Sequence, residues 1–186
     1  AASDVYKRQG YVTAPGVFSA DGIDPASRVL AAALPDLSGR VVDLGAGWGY
    51  LSAKLSDMPG IKSIDLVEAD FAALTCARQN VPDPRARFHW ADATIWTAEA
   101  GADVVVMNPP FHTGRAADPS LGRAFIRSAA RLLTPSGHLW MVANRHLPYE
   151  ACLAEAFSVV EEAAGDARFK VLHAQRPTSA KRPRLA

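Results

Sequence analysis

The sequence predicts a doubly wound α/β fold, with a seven-stranded, mostly parallel sheet that carries helices on both faces. Segments with the patterns of strands and of helices alternate along the chain of 186 residues. The clearest strand, over residues 102–108, is a nearly continuous apolar run rich in valine, which is typical of strands buried on both faces of a parallel sheet. Such alternation is expected when helices connect neighbouring parallel strands.

Capping and turn residues set the limits of the predicted elements. Asp24 occupies an N-cap position and Pro25 the first helical position, so the first helix is expected over residues 25–34. Pro109 and Pro110 end the clearest strand, and a turn over residues 134–137 is expected to precede the fifth strand. The predicted strands cover residues 40–45, 63–68, 87–90, 102–108, 138–144, 159–164 and 169–174. The predicted helices cover residues 25–34, 48–55, 71–80, 121–133 and 149–156.

The composition is that of a single globular domain. Apolar residues make up 49% and charged residues 21% of the chain, and no apolar run approaches the roughly 18 residues that span a membrane. Residues 10–176 are expected to form the domain, residues 1–9 a non-native leader, and residues 177–186 a basic flexible tail. Cys76 and Cys152 form no metal-binding or disulfide pattern, so we expect buried thiols, no metal site and a cytoplasmic protein.

The first strand ends in a glycine-rich loop with the sequence Asp43-Leu-Gly-Ala-Gly-Trp-Gly49. Glycines let backbone amides approach a ligand where a Cβ would collide with it. A dinucleotide-binding loop has the spacing G-x-G-x-x-G, whereas this loop has G-x-G-x-G preceded by an acid. An acid at this place disfavours a pyrophosphate but can bind an ammonium group, which favours S-adenosylmethionine as the ligand. The predicted cofactor-binding residues of the loop are Asp43, Gly45, Ala46, Gly47 and Gly49, and Trp48 is expected to pack in the core.

Two further acids follow the next two strands. Glu68 ends the second strand, where a carboxylate can accept hydrogen bonds from both ribose hydroxyls of a nucleoside. Asp92 follows the third strand, where it can accept a hydrogen bond from an adenine amino group. Either acid alone could simply be a solvent-exposed residue at the end of a strand. Because both acids follow the strands that come directly after the glycine-rich loop, the pair favours a nucleoside site. Their neighbours Ala69 and Ala93 are included among the predicted cofactor-binding residues.

The fourth strand ends in Asn108-Pro-Pro-Phe111, which carries the predicted chemistry. The two prolines fix the backbone, so the Asn108 side-chain oxygen and the Pro109 carbonyl are expected to point into a cleft. Two acceptors at this spacing can bind both hydrogens of an amino group and turn its nitrogen lone pair towards a methyl sulfonium. Phe111 offers a face on which a planar base can stack. Asn108, Pro109, Pro110 and Phe111 are therefore the predicted catalytic residues, and Asn108 is also predicted to contact the cofactor.

The net charge of +1 conceals a local excess of basic residues. Between Arg115 and Arg145 the chain contains five arginines and one acid. Arg123, Arg127 and Arg131 recur at helical spacing within this segment. A basic surface suits a polyanion such as RNA, but solvated helix faces explain the same charges, and charge alone does not decide between them.

Together the motifs resemble those of the class I S-adenosylmethionine-dependent methyltransferases. Further segments narrow the resemblance to the catalytic domain of the ribosomal RNA guanine-N2 methyltransferases C and G. They are Pro15-Gly-Val-Phe-Ser19, Asn108-Pro-Pro-Phe-His112, Val142-Ala-Asn144 with Leu147-Pro-Tyr149, and Arg168-Phe-Lys-Val171. The resemblance implies a Rossmann-like fold, S-adenosylmethionine as the cofactor, Phe18 and Ser19 against it, and ribosomal RNA as the partner. Members of that family usually carry a further domain ahead of this one, so a missing N-terminal domain is expected.

Other functions stay open at this point. Methylation of a protein glutamine amide or of a DNA adenine uses the same chemistry. An NAD-dependent oxidoreductase is disfavoured by the G-x-G-x-G spacing, and a non-catalytic RNA-binding module by the intact glycine loop and the intact residues 108–111. The leading prediction is methyl transfer from S-adenosylmethionine to an exocyclic amino nitrogen, the 2-amino group of a guanine in ribosomal RNA.

Overall fold

The computed structural model describes residues 6–178 of the chain, except residues 111, 114, 115 and 118. Its helices are α1 (Pro25–Ala33), α2 (Tyr50–Leu55), α3 (Phe71–Asn80), α4 (Pro119–Leu132) and α5 (Glu150–Ala156). The strands of its main sheet are β3 (Gly39–Leu44), β4 (Ile61–Glu68), β5 (Ala86–Trp90), β6 (Ala102–Met107), β9 (Leu133–Asn144), β10 (Phe157–Gly165) and β11 (Phe169–Pro177). Two short hairpins pair β1 (Tyr6–Arg8) with β2 (Tyr11–Thr13), and β7 (His112–Thr113) with β8 (Ala116–Ala117).

The main sheet confirms the predicted fold class. Its seven strands follow the order β10-β11-β9-β6-β3-β4-β5. The five strands from β9 to β5 are parallel, and β11 is antiparallel to both of its neighbours. Because β3 lies between β4 and β6, the chain leaves β3 on one side and later returns to the other. This change of direction is the switch point at which ligands of such sheets bind.

Two apolar cores cover the two faces of the sheet, as the doubly wound prediction requires. One core joins the sheet to Leu30 of α1, Leu55 of α2 and Ala77 of α3. The other joins it to Ile126 of α4 and Leu153 of α5. Both cysteines are buried and free, one in each core. No helix of the described residues is long and apolar enough to cross a membrane.

The start of β9 was predicted wrongly. The sequence suggested a turn over residues 134–137, because Pro135 and Gly137 interrupt the pattern, but the strand already begins at Leu133. Leu133 pairs with Ala102, and the next pairs join Val104 to His138 and Val105 to Leu139. The residues between Leu133 and His138 outnumber those between Ala102 and Val104, so they form an irregularity like a bulge within the paired strand.

The hairpin of β1 and β2 was not predicted, although its position is well defined by a side chain far along the chain. Asn80, at the end of α3, accepts a hydrogen bond from the Val12 N–H at 2.7 Å and donates to the Val12 carbonyl at 2.8 Å. Its amide also donates to the Trp48 carbonyl at 2.7 Å. Asn80 thus fastens the N-terminal hairpin to the glycine-rich loop. β1 falls within the predicted leader, and β11 extends to Pro177, the first residue of the predicted tail.

Candidate functional site

The parallel strands bring the predicted site residues to one edge of the sheet. Asp43 is the second-last residue of β3 and pairs in register with Leu66 of β4 and Val106 of β6. Glu68 ends β4, and Asn108 directly follows β6. Because the carboxyl ends of these three strands are neighbours, the glycine-rich loop, Glu68 and Asn108 lie at the same edge.

The glycine-rich loop is held in place from the side of β4. The amides of Gly45 and Ala46 donate to the Val67 carbonyl at 2.9 and 3.1 Å. The Gly47 amide donates to Glu68 Oε2 at 2.8 Å. Gly47 has a φ of 55°, and a Cβ added to it would meet no atom within 4 Å. The loop is therefore fixed by its amides while one side of Gly47 stays open for a ligand.

Glu68 connects the loop to the start of α3. Its second carboxylate oxygen, Oε1, accepts a hydrogen bond from the Asp70 N–H at 2.8 Å. Each carboxylate oxygen has two lone-pair positions, so both can still accept a hydrogen bond from a ligand hydroxyl. Asp70 in turn caps α3, since its Oδ1 accepts from the amides of Ala72 and Ala73.

Asp43 is completely buried and has only one of its oxygens paired. Oδ2 accepts hydrogen bonds from the Ser52 N–H at 3.1 Å and from the Ser52 hydroxyl at 2.7 Å. Oδ1 is buried and has no hydrogen-bond partner among the described residues. Burial raises the pKa of Asp43 to about 7, against the opposing effect of the Ser52 hydrogen bonds. The residue is thus a buried hydrogen-bond acceptor next to the loop, and it does not line the cleft.

A cleft lies between the glycine-rich loop and the segment before α1. It is lined by Phe18, Ser19, Asp24, Ser27, Gly45, Ala46, Gly47, Trp48, Tyr50, Leu51 and Asn108. Phe18 is 60% exposed, and its carbonyl accepts a hydrogen bond from Trp48 Nε1 at 3.1 Å. Trp48 itself is buried and packs against Tyr11 and Tyr50, so its ring supports the wall while one side borders the cleft.

Asn108 presents its side-chain amide to this cleft in a defined orientation. Its Nδ2 donates to Asp24 Oδ2 at 2.9 Å and to Ser27 Oγ at 2.9 Å. Pro109 is buried and Pro110 exposed. Phe111 lies outside the described residues. Of the predicted residues, the structure therefore brings Phe18, Ser19, Gly45, Ala46, Gly47 and Asn108 together around one cleft.

The remaining predicted residues lie beyond the cleft wall. Asp92 is exposed, and the side-chain hydrogen bond from Thr94 lowers the pKa of its carboxyl. The Ala93 carbonyl accepts a hydrogen bond from Ser128 Oγ at 2.7 Å, and the Ala69 carbonyl accepts one from Trp90 Nε1 at 2.9 Å. Gly49 has a φ of 90° and lies so close to Ala77 and Val81 that an added Cβ would crowd them. It contributes to the conformation of the loop and does not line the cleft.

Comparison with known proteins identifies the family. The sequence matches the family model of the methyltransferase small domain over residues 9–173. The chain belongs to this family. It is 36% identical over 166 residues to ribosomal RNA small subunit methyltransferase C of Hahella chejuensis, covering 88% of this chain and 48% of the relative. It is also 36% identical over 164 residues to ribosomal RNA large subunit methyltransferase G of Streptomyces avermitilis, covering 86% and 43%.

One solved structure is similar to this chain in both sequence and fold. It is the T. thermophilus 16S rRNA N2-guanine methyltransferase in complex with AdoMet and guanosine, with 32% identity and a TM-score of 0.75. The superposition covers 94% of this chain and 50% of that one. The chain spans about half the length of the relatives that it matches.

Three residues that contact the predicted site residues were not predicted from the sequence to do so: Asp24, Ser27 and Ser52. Asp24 was predicted as an N-cap, and its Oδ2 does accept from the Ser27 N–H at 2.8 Å. Its contact with Asn108, together with that of Ser27, could not be seen, because more than eighty residues separate the partners. Ser52, which pairs with Asp43 nine residues earlier, was also not predicted.

The three arginines that recur at helical spacing in α4 differ in their exposure and in their hydrogen bonds. Arg127 of α4 is exposed, and Arg123 is half-buried. The Arg131 guanidinium instead donates to the carbonyls of Thr94 and Trp96 at 3.3 and 3.1 Å. Arg131 therefore ties α4 to the segment after β5, and Arg115 lies outside the described residues.

Proposed function

We propose that this chain is a methyltransferase domain that uses S-adenosylmethionine to methylate the 2-amino group of a guanine in ribosomal RNA. The observation that carries the proposal is that Asn108 lines the same cleft as Gly47, on which an added Cβ would meet no atom within 4 Å. Both N–H groups of Asn108 are occupied by Asp24 and Ser27, so the group left for a ligand is the acceptor Oδ1. An acceptor at this place suits a substrate that offers an amino group.

Three features of the chain fit S-adenosylmethionine. The unpaired Oδ1 of Asp43 is a buried acceptor that an ammonium group would satisfy, directly or through water. The carboxylate of Glu68 keeps lone pairs for ribose hydroxyls. Gly47 lacks a side chain where the ligand would pass. When bound, the cofactor supplies an electrophilic methyl group, and Phe18 and Ser19 would cover it from the side of α1.

Asn108 and Pro109 account for the choice of an amino nitrogen. The Asn108 Oδ1 and the Pro109 carbonyl would accept the two hydrogens of the amino group. This pairing turns the nitrogen lone pair out of conjugation with the ring and directs it towards the methyl group. The hydrogen bonds strengthen as the nitrogen becomes tetrahedral, so the site favours the transition state over the bound substrate. After transfer the extra proton leaves to solvent, and no strong general base is required.

The relatives support RNA over the other amino substrates. Both curated relatives named above are ribosomal RNA methyltransferases, and the solved relative contains guanosine with AdoMet. The exposed Arg127 would contribute to a phosphate-binding surface. The proposed stacking of the base on Phe111 is a prediction from the sequence.

The proposal is tested by methylating deproteinised ribosomal RNA with labelled S-adenosylmethionine and mapping the modified base. We expect label on the 2-amino group of a guanine, and none when inosine, which lacks this group, replaces that guanine. Parallel reactions contain a glutamine peptide and adenine-containing DNA. Label in either of these and none in RNA would contradict the proposed substrate, and no label in any of the three would contradict the proposed activity.

A further inference from the structure

The orientation of the Asn108 amide is determined by two partners from one helix. An asparagine amide has two N–H donors and one carbonyl acceptor, and both ends are similar in size. Here Nδ2 donates to Asp24 Oδ2 and to Ser27 Oγ, both at 2.9 Å. No hydrogen bond to Oδ1 occurs among the described residues. Both donors are thus used within the protein, and no described residue occupies the acceptor of this cleft-lining side chain.

The chemistry of Asp24 makes this orientation the favourable one. An ionised carboxylate only accepts hydrogen bonds, so it attracts the N–H end of the amide and repels the oxygen end. A flipped Asn108 would place its oxygen against the Asp24 carboxylate and would offer N–H groups to the cleft. These would meet the hydrogens of an incoming amino group, and no productive pairing would form.

Asp24 and Ser27 are themselves held rigidly at the start of α1. Asp24 Oδ2 also accepts from the Ser27 N–H at 2.8 Å, and the Asp24 carbonyl accepts from the Arg28 N–H at 3.0 Å. Leu30, one turn further, is fully buried against the sheet. The two partners of Asn108 therefore sit on the first turn of a packed helix, and their positions are fixed by the fold.

We propose that Asp24 and Ser27 are positioning residues that hold the Asn108 amide so that its oxygen faces the amino group to be methylated. The proposal rests on the function proposed above and adds two residues to its machinery. They touch neither the methyl group nor the amino nitrogen, and they act through Asn108. The N-cap role of Asp24 explains its bond to the Ser27 N–H, but it does not explain the additional bond to Asn108.

Two substitutions separate positioning from helix capping. Ser27→Ala removes one acceptor of the Asn108 amide and is compatible with a helix, since alanine has the highest helix propensity. Asp24→Ser keeps a good N-cap, while the shorter side chain is expected to lose Asn108. We expect kcat to fall about tenfold in Asp24→Ser and by less in Ser27→Ala, because the loss of a hydrogen bond to a charged group is the larger effect. The melting temperature should stay close to wild type, and the Kd for S-adenosylmethionine should change far less than kcat, although both residues line the cleft.

A double-variant comparison tests whether the two residues act through Asn108. In an Asn108→Ala background, Asp24→Ser and Ser27→Ala should lower kcat no further, because the amide that they orient is gone. Asp36→Ser, at an exposed position after α1, serves as the matched control and should behave as wild type in every assay. Full kcat in both single variants, or additive losses in the Asn108→Ala background, would overturn the proposal.

A measurement without substrate distinguishes this proposal from the proposed function. The side-chain amide protons of Asn108, identified in NMR spectra by their absence in Asn108→Ala, should exchange with solvent at least about tenfold faster in Asp24→Ser than in wild type. Equal exchange would overturn the orientation proposal even if the chain methylates RNA. Faster exchange in a chain that methylates none of the three substrates would support the orientation and contradict the proposed activity.

Discussion

Ser52 donates two hydrogen bonds to the same oxygen of Asp43, from its backbone N–H at 3.1 Å and from its hydroxyl at 2.7 Å. The folded chain therefore pairs one oxygen of the carboxylate and leaves the other, Oδ1, buried without a partner among the described residues. The pKa of Asp43, raised to about 7 mainly by burial, follows from this arrangement.

The first prediction concerns stability. The pKa of Asp43 rises from about 3.8 in the unfolded chain to about 7 in the folded one, so the folded state binds more protons between these values. The contribution of Asp43 to stability is therefore complete at low pH and is lost as the pH rises towards 7. Asp43→Asn removes this dependence. Between pH 5 and pH 8 wild type should lose about 2–3 kcal/mol more unfolding free energy than the variant. Urea unfolding at the two pH values measures the difference, and parallel pH profiles would contradict it.

The second prediction concerns cofactor affinity. An ammonium group near Asp43 requires the ionised carboxylate, and its binding would release a proton. The affinity for S-adenosylmethionine should therefore rise about tenfold between pH 5.5 and pH 7. Asp43→Asn should bind on the order of tenfold to a hundredfold more weakly and without this rise. Titration calorimetry in buffers of different ionisation enthalpy would also detect the released proton. A variant with the same pH profile as wild type would mean that the ammonium group binds elsewhere.

The third prediction separates two arginines of α4. Arg127 is exposed, so Arg127→Ala should weaken RNA binding and reduce the slope of log affinity against log salt by about one. Arg131→Ala is the matched control, because its guanidinium already binds the carbonyls of Thr94 and Trp96. This control should lower the unfolding free energy by about 1–2 kcal/mol and leave the salt slope unchanged. An unchanged slope in Arg127→Ala would show that this side of α4 does not contact phosphates.

The sequence was sufficient to predict the sheet, because each strand and helix is encoded by a local pattern. All six elements from β3 to β6, which surround the site, agree with the predicted ranges to within about two residues at each end. The strand-end motifs could be placed at one edge for the same reason, since parallel strands end together.

Contacts between side chains far apart in the sequence could not be predicted in this way. Asn80 contacts Val12 through two hydrogen bonds, and Asp24 contacts Asn108 through one, and such bonds leave no periodic pattern in the sequence. The burial of Asp43 was also not foreseen, because its place in the sequence gives its position at the strand end but not the depth of its side chain. The sequence thus located the site, and the structure added the residues that orient it.

The central claim is that the oxygen of Asn108 binds the amino group in the transition state. Asn108→Ala should keep the affinity for S-adenosylmethionine, because the variant leaves Asp43, Glu68 and the glycine-rich loop intact. Methyl transfer should fall by about two to three orders of magnitude, comparable to the loss of a donor from an oxyanion hole.

The most direct test is the single-turnover rate of methyl transfer to the mapped guanine, measured for wild type and Asn108→Ala at saturating cofactor. The account predicts a rate at least about a hundredfold lower in the variant, with an unchanged Kd for S-adenosylmethionine. A variant that transfers the methyl group at close to the wild-type rate would contradict the account.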